Sequence, residues 1–406
     1  MQEISNGAKL VAKKTREDRF QYHDYYDVDE LLSEEHLLAR EAVRAWVKAE
    51  VSPVIEDYTE RATCPTHLFK GLAEIGAFGP SLPAKYGCGG MDEIAYGVIM
   101  QELERGDSGV RSMASVQGSL VMYPIYRFGS EEQKNYYLPK LASGELIGCF
   151  GLTEPDHGSN PGGMLTNIKD DGDAYILNGA KMWITNSPLA DIAVVWAKDE
   201  SGKIRGLIVE KEMKGFSAPE IHGKWSLRAS ITGELIFEDV RVPKKNLLPE
   251  AAGLKGPLSC LSKARYGIAW GAIGAALDCY DTALRYSQER IQFGKPIGAF
   301  QLQQKKLAEM ITEITKAQLL VWRLGTLANN GKATAAQISM AKRNNVNMAL
   351  DVAREARQML GGMGITNEYP VMRHMMNLET VLTYEGTHDI HLLITGHDVT
   401  GFNAFK

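Results

Sequence analysis

Apolar residues recur at helical spacing along the first third of the chain. Between Ser33 and about Leu138, the residues Leu37, Val43, Trp46, Val47 and Val51 form one such stripe. Ser33 suits an N-cap, with Glu34 and Glu35 in a first turn where the helix dipole favours acids. Pro53, Pro65, Pro80 and Pro83 punctuate the region, and Tyr86-Gly87-Cys88-Gly89-Gly90 reads as a loop. A second helix is expected from about Asp92 to Glu104, and a third after Ser112. Near Cys149 the pattern changes. β-rich runs follow at Ala174 to Leu177, Ile192 to Ala197, Ile204 to Val209 and Glu234 to Phe237. The turn signals between them are Asp170-Asp171-Gly172-Asp173, Asn178-Gly179 and Glu200-Ser201-Gly202. This spacing without intervening helices predicts a small antiparallel sandwich or barrel ending near Pro243.

After Leu254 the helical period returns in long segments. The first, about Leu258 to Gln288, is crowded with Gly267, Ala269, Gly271, Ala272, Gly274, Ala275 and Ala276, which let helices approach closely. The second stops at Asn329-Asn330-Gly331, and the third starts after Thr334 and ends at Gly361-Gly362. A fourth holds Met372, Met375, Met376 and Leu378, and a fifth closes the chain from about Gly386. Long helices with short links predict an antiparallel bundle. The expected fold is thus α+β: a tail over 1–30, an N-terminal helical domain over 31–147, a middle antiparallel β-domain over 148–247 and a C-terminal helical bundle over 248–406.

Composition narrows the function classes. A length of 406 residues allows two or three domains, and 44% hydrophobic with 23% charged residues is ordinary for a soluble globular chain. The net charge of −5 gives no basic footprint for nucleic acid. Five cysteines without a C-x-x-C read as reduced thiols in a cytosol-like compartment, which is the cytoplasm if the chain is bacterial and the mitochondrial matrix if it is eukaryotic and already processed. The apolar run from Ile268 to Leu277 ends at Asp278, far short of a bilayer span. Residues 1–19 mix Lys13, Lys14 and Arg16 with Glu3, Glu17 and Asp18, which suits a mobile tail rather than a targeting peptide. Ala404-Phe405-Lys406 is not a peroxisomal address.

Two stretches suggest a cofactor. Gly151-Leu152-Thr153-Glu154-Pro155-Asp156-His157-Gly158-Ser159-Asn160 is a polar loop leaving a strand, whose N–H groups and hydroxyls suit phosphates and carbonyls; a plain surface loop is the alternative. Trp183-Ile184-Thr185 interrupts a β-run with a large ring and a hydroxyl, an edge for a flat heterocycle or simply part of the core.

The run from Cys149 through Phe150 to Pro155, followed by Trp183-Ile184-Thr185, resembles the flavin-binding signature of acyl-CoA dehydrogenases. Arg290-Ile291-Gln292-Phe293-Gly294, Gln301-Leu302-Gln303 and Gln358-Met359-Leu360-Gly361-Gly362-Met363-Gly364 resemble the family's other cofactor elements, and Tyr384-Glu385-Gly386-Thr387 its catalytic segment. The resemblance implies FAD and a catalytic base at Glu385, which removes the α-proton of an acyl-CoA thioester while the β-hydrogen leaves as hydride to the flavin. On residues alone, Glu385 also reads as a carboxylate at a helix N-terminus. By the same resemblance, Phe150, Leu152, Thr153, Gly158, Ser159, Ile184 and Thr185 lie at the cofactor, with Trp183 flanking its ring. Ser159 also approaches the pantetheine arm. Arg290, Phe293, Gln301, Gln358, Gly361 and Gly362 hold the nucleotide half of an FAD bound mainly by a neighbouring subunit. Thr387 and Asp389 meet FAD near the base, and Arg265 lies near the thioester end of the acyl pocket. A homotetramer and reoxidation by an electron-transferring flavoprotein are further implications.

The stretch from Glu102 to Ser112 bears on the acyl group. An unpaired cation facing a fatty tail is costly but fits a terminal carboxylate. The segment is similar to glutaryl-CoA dehydrogenases, in which the matching Arg111 and Ser112 meet the substrate carboxylate and Glu104 and Tyr384 belong to the same polar network. That likeness implies conversion of glutaryl-CoA to crotonyl-CoA and CO2, a step in lysine and tryptophan degradation. Val110, where a tyrosine is common, and Asn160, where an aspartate is usual, depart from the pattern. The plain alternative for Arg111 is a surface arginine at a helix start. Rival functions are a short-chain acyl-CoA dehydrogenase or oxidase, a non-decarboxylating glutaryl-CoA dehydrogenase, and a degenerate flavin-binding scaffold. Glu385 to His388 with His391, and Glu154 to His157, are the Glu-x-x-His spacings of a di-iron bundle, but Pro155 and the β-region setting of the second argue against metal.

Overall fold

The computed structural model describes residues 23–405. Within the stretch expected to be a tail, Val28–Leu31 forms a 3-10 turn with Val28 buried. Arg40 grips Asp29 with two bonds of 2.6 and 2.7 Å, and Trp322 Nε1 donates to Leu31 O at 2.9 Å. Residues 28–31 are thus pinned between two helices. The rest of that expectation, residues 1–22, lies outside the described residues.

Helices α1 (Glu34–Trp46), α2 (Ile55–Arg61), α3 (Leu68–Glu74), α4 (Glu93–Gly106), α5 (Ser108–Ser115), α6 (Tyr123–Phe128) and α7 (Glu131–Ala142) come first. Ser33 caps α1, its Oγ accepting from His36 N at 3.3 Å, and Asp92 caps α4 by accepting from Ala95 N at 2.8 Å. One extended residue, Asp107, separates α4 from α5 and caps the latter, accepting from Gly109 N at 2.6 Å. The helix expected after Ser112 therefore starts at Ser108. Arg111 lies inside it and is 0% exposed, which removes the reading of a surface arginine.

Strands β1 (Gly148–Gly151), β2 (Asn167–Asp171), β3 (Ala174–Thr185), β4 (Ile192–Lys198), β5 (Ile204–Glu210), β6 (Phe216–Ser217) and β7 (Thr232–Pro243) form one sheet in the order β1-β4-β2-β3-β7-β6, with β5 also on β4. The antiparallel expectation holds for β2–β3, β3–β7, β4–β5 and β6–β7. It fails at β1, which runs parallel to β4 with Gly148 opposite Ile192. The chain leaves β1 by a long excursion and returns only at β4, and such a crossover permits parallel pairing. Side chains of β4 alternate between two cores: Ile192, Val194 and Trp196 join the helical core, while Ala193, Val195 and Ala197 face Leu207, Leu235 and Val240.

Asn178-Gly179, expected as a turn, instead lies inside β3 at a register shift. Gly179 has φ 139°, and a Cβ there would strike Thr166. Asn178 exchanges 2.9 Å bonds with the backbone and side chain of Asp239 on β7. Turn residues here build a bulge.

The chain then runs through α8 (Lys255–Glu289), a ladder of Ile291–Gln292 with Lys295–Pro296, and helices α9 (Gln301–Asn329), α10 (Ala335–Met359), α11 (Val371–Thr383) and α12 (His388–Thr400). Helix α8 lies against α4 and α10. Its Gly271 stands against the Glu104 carboxylate and Gly274 against the backbone of Gln101, with no room for a Cβ at either. The small residues thus bring α8 directly onto α4. Among the described residues no helix is long and apolar enough to cross a membrane.

Candidate active site

Glu385 lies in the link between α11 and α12, just before Thr387, whose Oγ1 caps α12 by accepting from Ile390 N at 3.2 Å. The backbone is left-handed at Glu385, φ 54°, and again positive at Gly386, φ 96°. Such a conformation costs a non-glycine residue about 1–3 kcal/mol and persists only where its surroundings enforce it. Here two buried cations do so. Arg265 Nε donates to Glu385 O at 2.6 Å, and Lys342 Nζ donates to Tyr384 O and Gly386 O at 2.8 Å each. A side chain at Gly386 would crowd Arg265 and His391. Glu385 Oε2 is sealed from solvent without a hydrogen-bond partner. Burial pushes its carboxyl above the ordinary range, while Arg111, Lys342 and Arg265 pull it back. A carboxylate held this way can take a proton from a carbon acid.

Tyr384 ties this link to α5. Arg111 donates Nε to Glu104 Oε2 at 2.7 Å and Nη2 to the Tyr384 hydroxyl, and Ser112 Oγ lies 3.4 Å from the same hydroxyl. Arg111 Nη1 and Glu104 Oε1 are buried without partners. Burial opposes the guanidinium charge, but Glu104, Tyr384 and Glu385 more than offset it and hold Arg111 above its usual range. Glu104, Arg111, Ser112, Tyr384, Glu385 and Arg265 therefore form one group. Arg265, expected near the thioester end of the pocket, directs its Nε to the backbone behind Glu385.

A second group forms where the loop after β1 meets β3. Met182 N donates to Thr153 O at 2.9 Å, and Lys181 Nζ reaches Leu152 O at 3.2 Å and Glu154 Oε1 at 2.8 Å. Glu154 also accepts from Leu165 N and Thr166 N at 2.6 and 3.0 Å. Burial opposes its charge, yet these bonds bring its carboxyl down to about 2. Its carboxylate is thereby committed to the loop. At the second register shift of β3, Trp183 takes φ 62° and stands 56% exposed, with Ile184 buried and Thr185 half-buried beyond it. Phe150 packs behind, its ring 6.2 Å from that of Trp196. Gly158 and Ser159 are exposed. An out-turned indole beside hydroxyls and a glycine-bearing loop fits a flavin.

The third group is on the bundle. Arg290 ends α8, Phe293 is 93% exposed, and Gln301 opens α9. Gln292, Phe293, Phe300 and Gln301 line an open groove of about 680 Å³. Gln358 joins α9 through Lys306 Nζ, and Gly361 and Gly362 follow it, exposed. Asp389 is exposed in the first turn of α12.

Sequence reasoning missed two features. Lys342 was available as a charge at i−4 and i−7 to the buried Val346 and Ala349 on α10. Asp107 gave no signal of its own beyond a capping residue type. Its Oδ2 also accepts from Arg373 Nη1 at 2.8 Å and Asn377 Nδ2 at 2.7 Å, which fixes the start of α5 against α11.

The family descriptions "Acyl-CoA dehydrogenase, N-terminal domain", "middle domain" and "C-terminal domain" match residues 33–145, 149–240 and 251–399. The short-chain specific acyl-CoA dehydrogenase of rat (Rattus norvegicus) mitochondria is 36% identical over 406 residues, 98% of each chain. A solved glutaryl-CoA dehydrogenase of Mycobacterium smegmatis, in complex with FADH2, superposes with TM-score 0.92 at 51% identity, covering 94% of this chain and 98% of its own. Butyryl-CoA dehydrogenase of Megasphaera elsdenii gives TM-score 0.88 at 35% identity, with 91% and 98% covered. Matches spanning the helical, β and helical regions in order show that this chain belongs to the acyl-CoA dehydrogenase family, with FAD as its cofactor.

Proposed function

We propose that this enzyme oxidises glutaryl-CoA at its α,β carbons and decarboxylates the product to crotonyl-CoA. The observation that carries the reading is Arg111, wholly buried, bonded to the residue before Glu385 and left with Nη1 unpartnered. A buried donor without an acceptor costs about 1–3 kcal/mol, which a substrate carboxylate would recover. The 51% identity to the mycobacterial glutaryl-CoA dehydrogenase supports the same assignment.

In this reading Glu385 removes the proton α to the thioester. Thr153 and Thr185 hydrogen-bond the flavin, Trp183 flanks it, and Arg290, Phe293, Gln301 and Gln358 serve the nucleotide half in a homotetramer. FAD, when bound, supplies the acceptor for the electron pair that leaves with the β-hydrogen, and an electron-transferring flavoprotein regenerates it. Decarboxylation sends the electrons of the C–CO2 bond into the unsaturated thioester, and the carbon that loses CO2 then needs a proton. Glu385 carries one, taken in the first step. The carboxylate must also be released, because CO2 leaves neutral. Glu104 already claims Arg111 Nε, so the guanidinium binds a second carboxylate less tightly and lets it go.

The same ion pair favours a second reading. With Glu104 balancing Arg111, an uncharged butyryl tail meets no net charge, and the rat relative is a short-chain enzyme. Anaerobic mixing of the holoenzyme with butyryl- and glutaryl-CoA, following flavin bleaching and CO2 release, separates the two. Arg111→Ala is expected to lower kcat/KM for glutaryl-CoA about ten- to a hundredfold more than for butyryl-CoA, the worth of a charged hydrogen bond, because the loss of a cation near Glu385 and of the partner of Glu104 falls on both substrates alike. Equal losses on both substrates, or bleaching by glutaryl-CoA without CO2, would remove the decarboxylating assignment.

A further inference from the structure

Lys342 takes no part in the chemistry just described, yet it is bonded directly to the Glu385 link. It is 1% exposed on α10. Its ammonium bonds at 2.8 Å to Tyr384 O and Gly386 O, the two carbonyls that bracket Glu385. Both acceptors are neutral. Backbone carbonyls alone do not repay burial of an ammonium, whereas a carboxylate nearby does. The titratable and charged groups that face it are Glu385 and Glu104 on the acidic side, Arg265 and Arg111 on the basic side, His388 and His391 on α12, and the Tyr384 ring, from the α11–α12 link, α4, α8, α5 and α12. Burial, with Arg265 and Arg111 nearby, brings the lysine down to about 7 even though Glu385 pulls it up.

Lys342 spans the left-handed residue, so the peptides before and after Glu385 turn about a single point. Arg265 fixes the carbonyl between them. A neutral amide could also donate to the carbonyls, but only a cation there opposes the carboxylate charge as well. Resting on the reading of Glu385 as the base, we propose that Lys342 is a positioning residue: it holds the base in its left-handed turn and supplies the counter-charge that keeps its carboxylate ionised.

The test compares Lys342→Met, which keeps length without charge, Lys342→Gln, which keeps N–H donors without charge, and Lys342→Arg, which restores the charge. Each full-length holoenzyme is mixed anaerobically with butyryl-CoA and with glutaryl-CoA, and the limiting rate of flavin reduction is followed against pH. The Met and Gln proteins are expected to retain FAD and bind acyl-CoA. Their reduction rate should fall on the order of ten- to a hundredfold, with its acid limb at higher pH, since removing a cation favours the neutral carboxyl. Lys342→Arg should return the limb toward the wild-type position. Wild-type rates and limbs in the Met and Gln proteins would overturn the inference. So would loss of folding and FAD in both, which would make Lys342 structural. Glu385→Gln is the control. If that variant is reduced at the wild-type rate, the base assignment fails whatever Lys342 does; if it is inert while the lysine variants are normal, only the present inference fails.

Discussion

At the scale of single residues, the proposed base carries a stability cost that can be measured. Burial favours the neutral form of Glu385 in the folded protein. A carboxyl whose folded pKa lies above its unfolded value stabilises the fold at low pH and loses that contribution as pH rises through the folded pKa. At neutral pH, therefore, Glu385 works against folding, as active-site groups often do. Glu385→Gln is expected to melt at or above the wild-type temperature, to retain FAD, and to lose flavin reduction by substrate. The wild-type reduction rate should rise with pH through a limb above the ordinary carboxylate range of about 4.3. A limb at or below that range, with a lower melting temperature for the variant, would contradict the desolvated setting. Glu385 and Arg111 were legible in the sequence because their neighbours form motifs. Lys342 was not, because a lysine on a helix is usually solvated, and only the packing of α10 against the Glu385 link shows otherwise.

At the scale of elements, the placement of Arg111 depends on how α5 begins. Asp107 caps that helix and also accepts from Arg373 and Asn377, while Arg373 reaches Glu56 at 3.0 Å. Asp107→Asn would keep a capping oxygen but leave the buried Arg373 with Glu56 as its remaining carboxylate. Breaking a buried pair costs about 3–5 kcal/mol, and the surviving partner puts the expected loss near the lower end. Denaturant midpoints should show that loss, together with a raised KM for glutaryl-CoA as α5 shifts. Unchanged stability and KM would show that the network does not hold α5. Ends set by local chemistry were readable in advance: Ser33 caps a helix as expected, and the helices expected from about Asp92 and after Thr334 start there, each capped by that residue. Ends set by distant partners were not. The start of α5 is fixed by α11, the bulge at Gly179 by Thr166, and the parallel pairing of β1 by a strand more than forty residues on.

At the scale of the whole molecule, the helical, β and helical order was legible because hydrophobic period changes along the chain; the purpose of an apolar face left exposed on a single chain was not. Phe293 is 93% exposed in a left-handed turn, Ile291 and Leu302 are 53% and 73% exposed, and all three sit beside Arg290 and Gln301. Leu302 belongs to the apolar pattern of α9 yet faces outward at its start. Covering a phenylalanine gains about 1.5–3 kcal/mol, and symmetry repeats that gain in every copy. If this face covers a neighbour's FAD, assembly and cofactor retention are coupled through one surface. In that case Phe293→Asp places a charge in a buried contact, at a cost larger than the lost apolar contact. Sedimentation velocity is expected to show smaller species than wild type, with the FAD-to-protein ratio falling in parallel. Arg290→Ala should keep the assembly and weaken FAD by about tenfold, the worth of one charged hydrogen bond. A Phe293→Asp protein that is monomeric yet retains full FAD and full turnover would show each FAD to be held within a single chain, and the groove beside Gln301 would then need another occupant.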